Sequence, residues 1–270
     1  MGGFPRADSA IAAPQEKAKV FFTKDISLRV DEVYARINQG MIGRIAIKLH
    51  TGEPHGPNIL PREMVKGFQA NIPNSSIVEC NVLYPSPRQT TEGHRETLRA
   101  NGWTFCPVDI MDEDGDISLP IPGGKWLTEV SVGKHILNYD SMLVLTHFKG
   151  MPWAVSADRS KTFHRLRLRE AGQAADPSAS GRRELARRPA VHGADGGRRQ
   201  SHYQSFWAHI TYINVLRNMS VDCDCAGLGA AAPTTPDLGI IASTDILAVD
   251  QASVDMVYAL PEAQRRDLVE

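Results

Sequence analysis

No apolar run in this chain of 270 residues approaches the roughly 20 residues that a membrane-spanning helix needs, so no membrane partner is expected. An excess of charge of one sign is lacking too. The formal net charge is -1, from 30 Lys and Arg against 31 Asp and Glu, which removes the electrostatic ground for a nucleic-acid partner. Cysteine is scarce. Cys80, Cys106, Cys223 and Cys225 are too few for a disulfide scaffold at this length, so a reducing, cytoplasmic setting is expected. Met1 to Gln15 contains Arg6 but no continuous apolar stretch, which makes a poor signal peptide; residues 1–16 read as a disordered extension. What is present is ordinary: 42% hydrophobic and 23% charged residues, enough to bury a substantial core in a single domain over 17–270.

Short β-prone runs alternate with helical patterns. Lys19 to Thr23, Arg44 to Leu49, Ser76 to Cys80, Trp103 to Ile110, Met142 to Thr146, Ile210 to Val215 and a run ending at Ile240 and Ile241 read as strands. Helices are expected from Ser27 to Gly40, from about Pro61, from Thr90 or Thr91 to Asn101-Gly102, and from Thr244 or Asp245 to about Leu260. Such alternation predicts βαβ units and a doubly wound, mostly parallel α/β sheet. Asp112 to Asp116 reads as a solvated acidic turn, since its glycine comes too early for a calcium loop.

One stretch stands apart. Residues 159 to 199 hold ten of the 21 arginines and almost no apolar periodicity. They read as a disordered basic insertion, as a basic stretch that could bind nucleic acid, or as a segment translated in the wrong frame. Regrouping the codons of Gly150 to Phe163 by one nucleotide permits His-Ala-Met-Gly-Gly-Phe-Gly-Gly-Pro-Ile-Lys-Asn-Ile, a glycine-rich loop. We favour the frame-shifted reading and expect residues 151–207 not to be natively structured.

Eight strings carry a resemblance: Phe22-Thr-Lys-Asp25, Lys48-Leu-His-Thr-Gly-Glu-Pro54, Val78-Glu-Cys-Asn81, Thr90-Thr-Glu-Gly-His94, Asn138-Tyr-Asp-Ser-Met142, His147-Phe-Lys-Gly150, Asn218-Met-Ser-Val-Asp-Cys-Asp-Cys225 and Ala248-Val-Asp-Gln251. Occurring in this order, they resemble the bacterial domain-of-unknown-function family 362, whose members are often labelled uncharacterised iron–sulfur-centre proteins. The resemblance covers about Lys17 to Gly150 and about His209 to Tyr258. It implies an iron–sulfur cluster or other metal as cofactor, a small molecule or a redox partner, and no transferable reaction. It also implies that the chain is truncated at its carboxyl end and lacks the clustered Cys-x-x-Cys module of many relatives.

In open α/β sheets the ligand crevice lies beyond the carboxyl ends of the strands. The polar residues expected there are Lys48 and His50, Glu79 to Asn81, His147 and Lys149. His50 and Glu53, in a Gly/Pro loop, are candidates for proton transfer, and Lys149 for holding an anionic group. Lys48, Asn81, His94, His147 and Asp250 are candidate ligand-binding residues. Cys223 and Cys225 face one side of an extended segment and can reach one metal, with Cys80, His50 or His147 completing the set. Asp222 and Asp224 can add oxygen ligands or raise the thiol pKa by their charge. Asp250 falls in the apolar stripe of Ile246, Val249, Ser253 and Val257, whereas Asp255 points away. The leading expectation is a metal-centre or redox enzyme; the alternatives are a non-catalytic small-anion or partner-binding module, and an inactive, damaged translation product.

Overall fold

The computed structural model describes residues 17–26, 30–120, 129–149, 206 and 208–269. Among the described residues, nine strands and five α-helices follow in chain order: β1 (Phe21–Thr23), α1 (Val30–Tyr34), β2 (Ile45–Lys48), α2 (Arg62–Ala70), β3 (Ser75–Glu79), α3 (Thr91–Ala100), β4 (Val108–Ile110), β5 (Asp116–Pro120), β6 (Glu129–Gly133), β7 (Ser141–His147), β8 (Ile210–Leu216), β9 (Gly239–Ser243), α4 (Ile246–Tyr258) and α5 (Glu262–Val269). Seven strands make one sheet in the order β1-β9-β8-β7-β2-β3-β4, while β5 and β6 form a separate antiparallel hairpin. From β8 to β4 all neighbours are parallel. This is the expected mostly parallel α/β architecture.

The central strands are apolar on both faces because both faces are covered. Every residue of β2 and of β8 is buried. Alternate residues enter opposite cores. Ile45, Ile47, Leu143 and Leu145 join Val33 of α1, Phe68 of α2 and Leu98 of α3 on one side. Ala46, Met142 and Val144 meet Val130 and Val132 of the hairpin and Val249 and Val257 of α4 on the other. The sheet is therefore wound on both sides. After β2 the chain proceeds outward through β3 and β4, then returns across β2 to lay down β7 and β8. That reversal puts a topological switch point between β2 and β7.

Helix signals match their chemistry. The Thr90 side chain accepts from Gly93 N at 3.2 Å and opens α3; Asp245 accepts from Ala248 N at 2.8 Å and opens α4. The buried residues of α4 are Val249, Asp250, Ser253 and Val257, and Asp255 is exposed, as the stripe predicted.

Three expectations are corrected. The strand expected from Trp103 is formed only over Val108–Ile110. Trp103 turns its indole Nε1 to donate to Thr51 O at 2.8 Å, and Pro107 has no N–H to contribute to a ladder. β9 runs antiparallel to β8 and β1 antiparallel to β9, so this edge is not built of βαβ units. The acidic turn is not wholly solvated: Asp112 is buried and its Oδ1 accepts from Asn81 N at 2.9 Å. The β5–β6 hairpin and α5 lacked a recognised sequence signal. The segment 151–207 lies outside the described residues except for Phe206, which is buried in the second core.

Candidate functional site

Strands β2, β3 and β7 end in charged residues that would be costly to bury alone. Lys48 closes β2, Glu79 closes β3, and His147 closes β7 with Lys149 two residues on; all but Lys149 are at most 2% exposed, and the Lys149 side chain is equally buried. They survive burial because each faces an opposite charge.

Glu79 is the hub of the first group. Lys48 Nζ donates to its Oε1 at 2.7 Å, Arg88 forms a buried ion pair with its Oε2, and Thr51 Oγ1 donates to Oε2 at 3.3 Å. His94 Nε2 lies 3.5 Å from the same oxygen. Burial opposes the charged carboxylate, but Lys48 and Arg88 outweigh it and hold Glu79 well below the usual carboxylate range. Arg88 continues the network by donating from Nη1 to Glu53 Oε1 at 3.2 Å and from Nε to His94 Nε2 at 3.3 Å. Glu53 also accepts from Tyr84 Oη at 2.5 Å and Ser86 Oγ at 2.6 Å. Burial, then this bond to Glu53, pushes the Tyr84 phenol far up.

Asp224 is the hub of the second group. Its buried carboxylate pairs with Lys149 and lies 3.0 Å from His147 Nδ1. Burial again works against ionisation, and Lys149 and then His147 overcome it, holding Asp224 well below its ordinary value. His147 Nε2 lies 2.8 Å from Arg217 O, so both ring nitrogens face acceptors. His50 lies between the groups, close enough that a protonated ring would favour the ionised form of both Glu79 and Asp224, and its Nε2 is 3.4 Å from Arg88 Nη1. Gly52 N donates to His50 Nδ1 at 2.8 Å, which leaves the proton of a neutral ring on Nε2. Three fixed cations thus balance three carboxylates.

The loop carrying His50 and Glu53 is held by its backbone. Gly52 adopts φ +86°, and a Cβ there would lie 2.5 Å from Ile59 Cγ2. Asn101, just after α3, donates from Nδ2 to Thr51 O at 3.1 Å and Glu53 O at 2.9 Å, while its Oδ1 accepts from His55 N at 2.7 Å. The turn Asp224–Gly229 packs against this loop, bringing Gly227 beside Glu53.

Cys223 and Cys225 are half-buried, the first at the start of that turn and the second within it. The neighbouring Cys223 side chain, then burial, pushes the Cys225 thiol up, against the opposing charge of Lys149. Asp224 is engaged with Lys149 and His147, and Asp222 Oδ2 accepts from Ala231 N at 2.7 Å. Cys80 lies in the second core and Cys106 packs against the first, on the opposite face of the sheet. Among the described residues, the His, Cys, Asp and Glu side chains whose ligand atoms converge within 4.8 Å in a group of three are Asp109, Glu113 and His135, not the cysteines. A four-cysteine iron–sulfur cluster built from this chain alone does not fit, because Cys80 and Cys106 lie on opposite faces of the sheet.

Most sequence candidates therefore meet at the rim. His50, Glu53, Lys48, His94, His147 and Lys149 join the two ion-pair groups. Asn81 supports His94, its Oδ1 lying 3.2 Å from His94 Nδ1. Lys149, expected to hold an external anion, is paired with Asp224. Asp250 sits instead in α4, where Asn214 Nδ2 donates to its Oδ1 at 3.1 Å. Arg88, Tyr84, Ser86, Asn101 and Asp224's role as a hub were missed. Arg88 gave no local signal, lying in a Pro/Ser loop that reads as solvent-exposed.

The family model described as domain of unknown function (DUF362) matches residues 45–156 and 184–255, more than half of the chain. The chain belongs to this family. The DUF362 match takes in every residue of the two ion-pair groups together with Cys80, Cys223 and Cys225, and it breaks over 157–183, overlapping the arginine-rich segment. No curated protein matches the chain.

Proposed function

We propose that this DUF362 protein is a redox protein with a metal centre, acting on a small molecule or a redox partner at the carboxyl rim of the sheet, in a reducing cytoplasm. The observation that carries the reading is the pair of half-buried thiols, Cys223 and Cys225, that flank Asp224 of the buried Lys149–Asp224–His147 group. The two thiolates would hold the metal and leave coordination positions open, the condition under which a metal meets a substrate. A bound metal would supply electron transfer. Around it, the chain's own residues do the rest. Lys149 favours the thiolate form of Cys225. Glu53, reached by Tyr84 Oη and Ser86 Oγ, is placed to accept or return a proton. The location supports a site as well, because ligands of open α/β sheets bind at the switch point, between β2 and β7 here. An anion-binding module is less favoured, since Lys48, Arg88 and Lys149 each already face a carboxylate.

The test is metal analysis after purification without oxygen, because exposed thiolates oxidise. Metal bound stoichiometrically, with thiolate charge-transfer absorption and loss of both in Cys223→Ser/Cys225→Ser, is the expected result. Substoichiometric metal unchanged by the double substitution refutes it.

A further inference from the structure

Cys223 and Cys225 are held in a closed turn. Ala226 N donates to Cys223 O at 2.8 Å, and Asp224 begins a 3-10 turn that breaks at Gly227, whose φ is +56°. At the roughly 2.0 Å rise per residue of such a turn, Cα atoms two apart are separated by about 5 Å, inside the roughly 4.4–6.8 Å that a disulfide spans. Between them Asp224 is anchored inward by Lys149 and His147, so the turn is fixed while both thiols stay partly accessible. Cys80 and Cys106 are separated by the sheet, one packed in each core.

We propose that Cys223 and Cys225 form a reversible disulfide by exchange with a low-molecular-weight disulfide, so that the same pair alternates between a dithiol and an oxidised state that cannot ligate metal. This rests on the redox assignment of the pair but not on the presence of a metal. In the first step the Cys223 thiolate attacks one sulfur of R–S–S–R; that bond breaks, a Cys223–S–S–R mixed disulfide forms and one thiolate leaves. In the second, Cys225 gives up its proton and attacks the Cys223 sulfur, and the second RS⁻ departs. The two thiol protons end on the two RSH products, and the dithiol's two electrons reduce the incoming disulfide. The same two steps balance with the roles of the two cysteines exchanged. A loop this short strains the disulfide, and strained disulfides are the readily exchanging ones.

The experiment uses the full chain, stripped of metal with a chelator and equilibrated with mixtures of oxidised and reduced glutathione. Remaining thiols are alkylated after an acid quench and peptides are mapped by mass. The expected result is loss of two of the four alkylatable thiols, with the peptide holding Cys223 and Cys225 lighter by two hydrogens, reversed by reduced glutathione. Cys225→Ser should instead accumulate one glutathione on Cys223. Both thiols still alkylated at the most oxidising mixture, or glutathione on each without a cross-link, overturns the proposal. The cross-link appearing in a protein that never binds metal refutes the metal centre and leaves this exchange standing. Because the main readout needs no substitution, a variant that fails to fold does not obscure it.

Discussion

Arg88 and Glu79 form an ion pair in which both side chains are nearly inaccessible, one from a loop and the other from the end of β3. Arg88 is the only cation that reaches both Glu79 and Glu53 among the described ion pairs, so it couples the hub of the site to its outer carboxylate. Its removal leaves two buried carboxylates short of a partner. Arg88→Ala is therefore expected to cost about 3–5 kcal/mol of stability. Arg88→Lys should recover only part of it, because one ammonium cannot fork to two carboxylates and a histidine. Urea denaturation measures this, and a loss below about 1 kcal/mol would show the pair to be dispensable.

The fold was legible because it rests on periodicity and composition. Buried runs such as Ile210 to Leu216 and caps such as Thr90 and Asp245 announce themselves locally. Strand direction is not local: nothing in Gly239–Ser243 distinguishes an antiparallel from a parallel neighbour, and its pairing with β8 is decided by the whole sheet. The site was legible where the strand ends delivered it, at Lys48, His50 and His147. Arg88 and Tyr84 were invisible because their meaning comes from Glu79 and Glu53, which are distant in sequence and near only after folding. The convergence of Cys80 with Cys223 and Cys225 was suggested by residue type, yet strand alternation sends Cys80 into the second core.

The depressed ionisation of Glu79 gives a pH dependence of definite sign. A folded-state pKa below the unfolded value means stability that is present above the unfolded carboxyl pKa of about 4.3 and lost as pH falls from there toward the folded value. Acid unfolding should be steep below about pH 4, and Glu79→Gln should flatten that limb while lowering stability at neutral pH. Chemical denaturation across acidic pH tests both; an unchanged acid limb would sink the assignment.

His135 should act in the opposite direction. Its Nδ1 lies 2.7 Å from Asp109 Oδ1 and its Nε2 2.9 Å from Asp114 Oδ2, tying β4 and the acidic turn to the segment after β6. Burial lowers its pKa, but the bonds to Asp109 and Asp114 win and raise it. The stabilisation is complete below the unfolded value of about 6.5 and lost as pH rises through the folded one. His135→Gln should therefore lower the denaturation midpoint at about pH 5.5 more than at about pH 8.5. Equal losses at the two would count against the bridge.

Asp250→Ala is expected to cost more than Asp255→Ala. Asp250 is buried and accepts from the buried Asn214 amide, a bond to a charged group of roughly 1.5–3 kcal/mol. Asp255 is exposed, where its bond from Gln251 Nε2 competes with water and changes stay within about 0.5 kcal/mol. Thermal and urea midpoints compare the two directly, and equal values would refute the packing of α4 on β8.

The cysteines should separate by function. Cys80 is buried in the second core with Val78 and Met111, so Cys80→Ser places a hydroxyl among apolar groups and should lose about 1–3 kcal/mol. Metal content per folded molecule should be unchanged, because its thiol does not converge with Cys223 and Cys225. Cys223→Ser and Cys225→Ser should do the reverse. Both positions are only partly buried on a turn anchored through Asp224, so the midpoint should move by no more than about 1 kcal/mol. Each should nevertheless remove metal, because one thiolate does not hold what two held. The raised Cys225 thiol adds a pH signature: metal must displace that proton, so apparent affinity should rise steadily from about pH 6 to about pH 8. Metal titrations of the metal-free chain at several pH values, run beside denaturation of all three variants, test the separation. Loss of metal in Cys80→Ser with full retention in Cys225→Ser would place the centre in the core instead of at the rim.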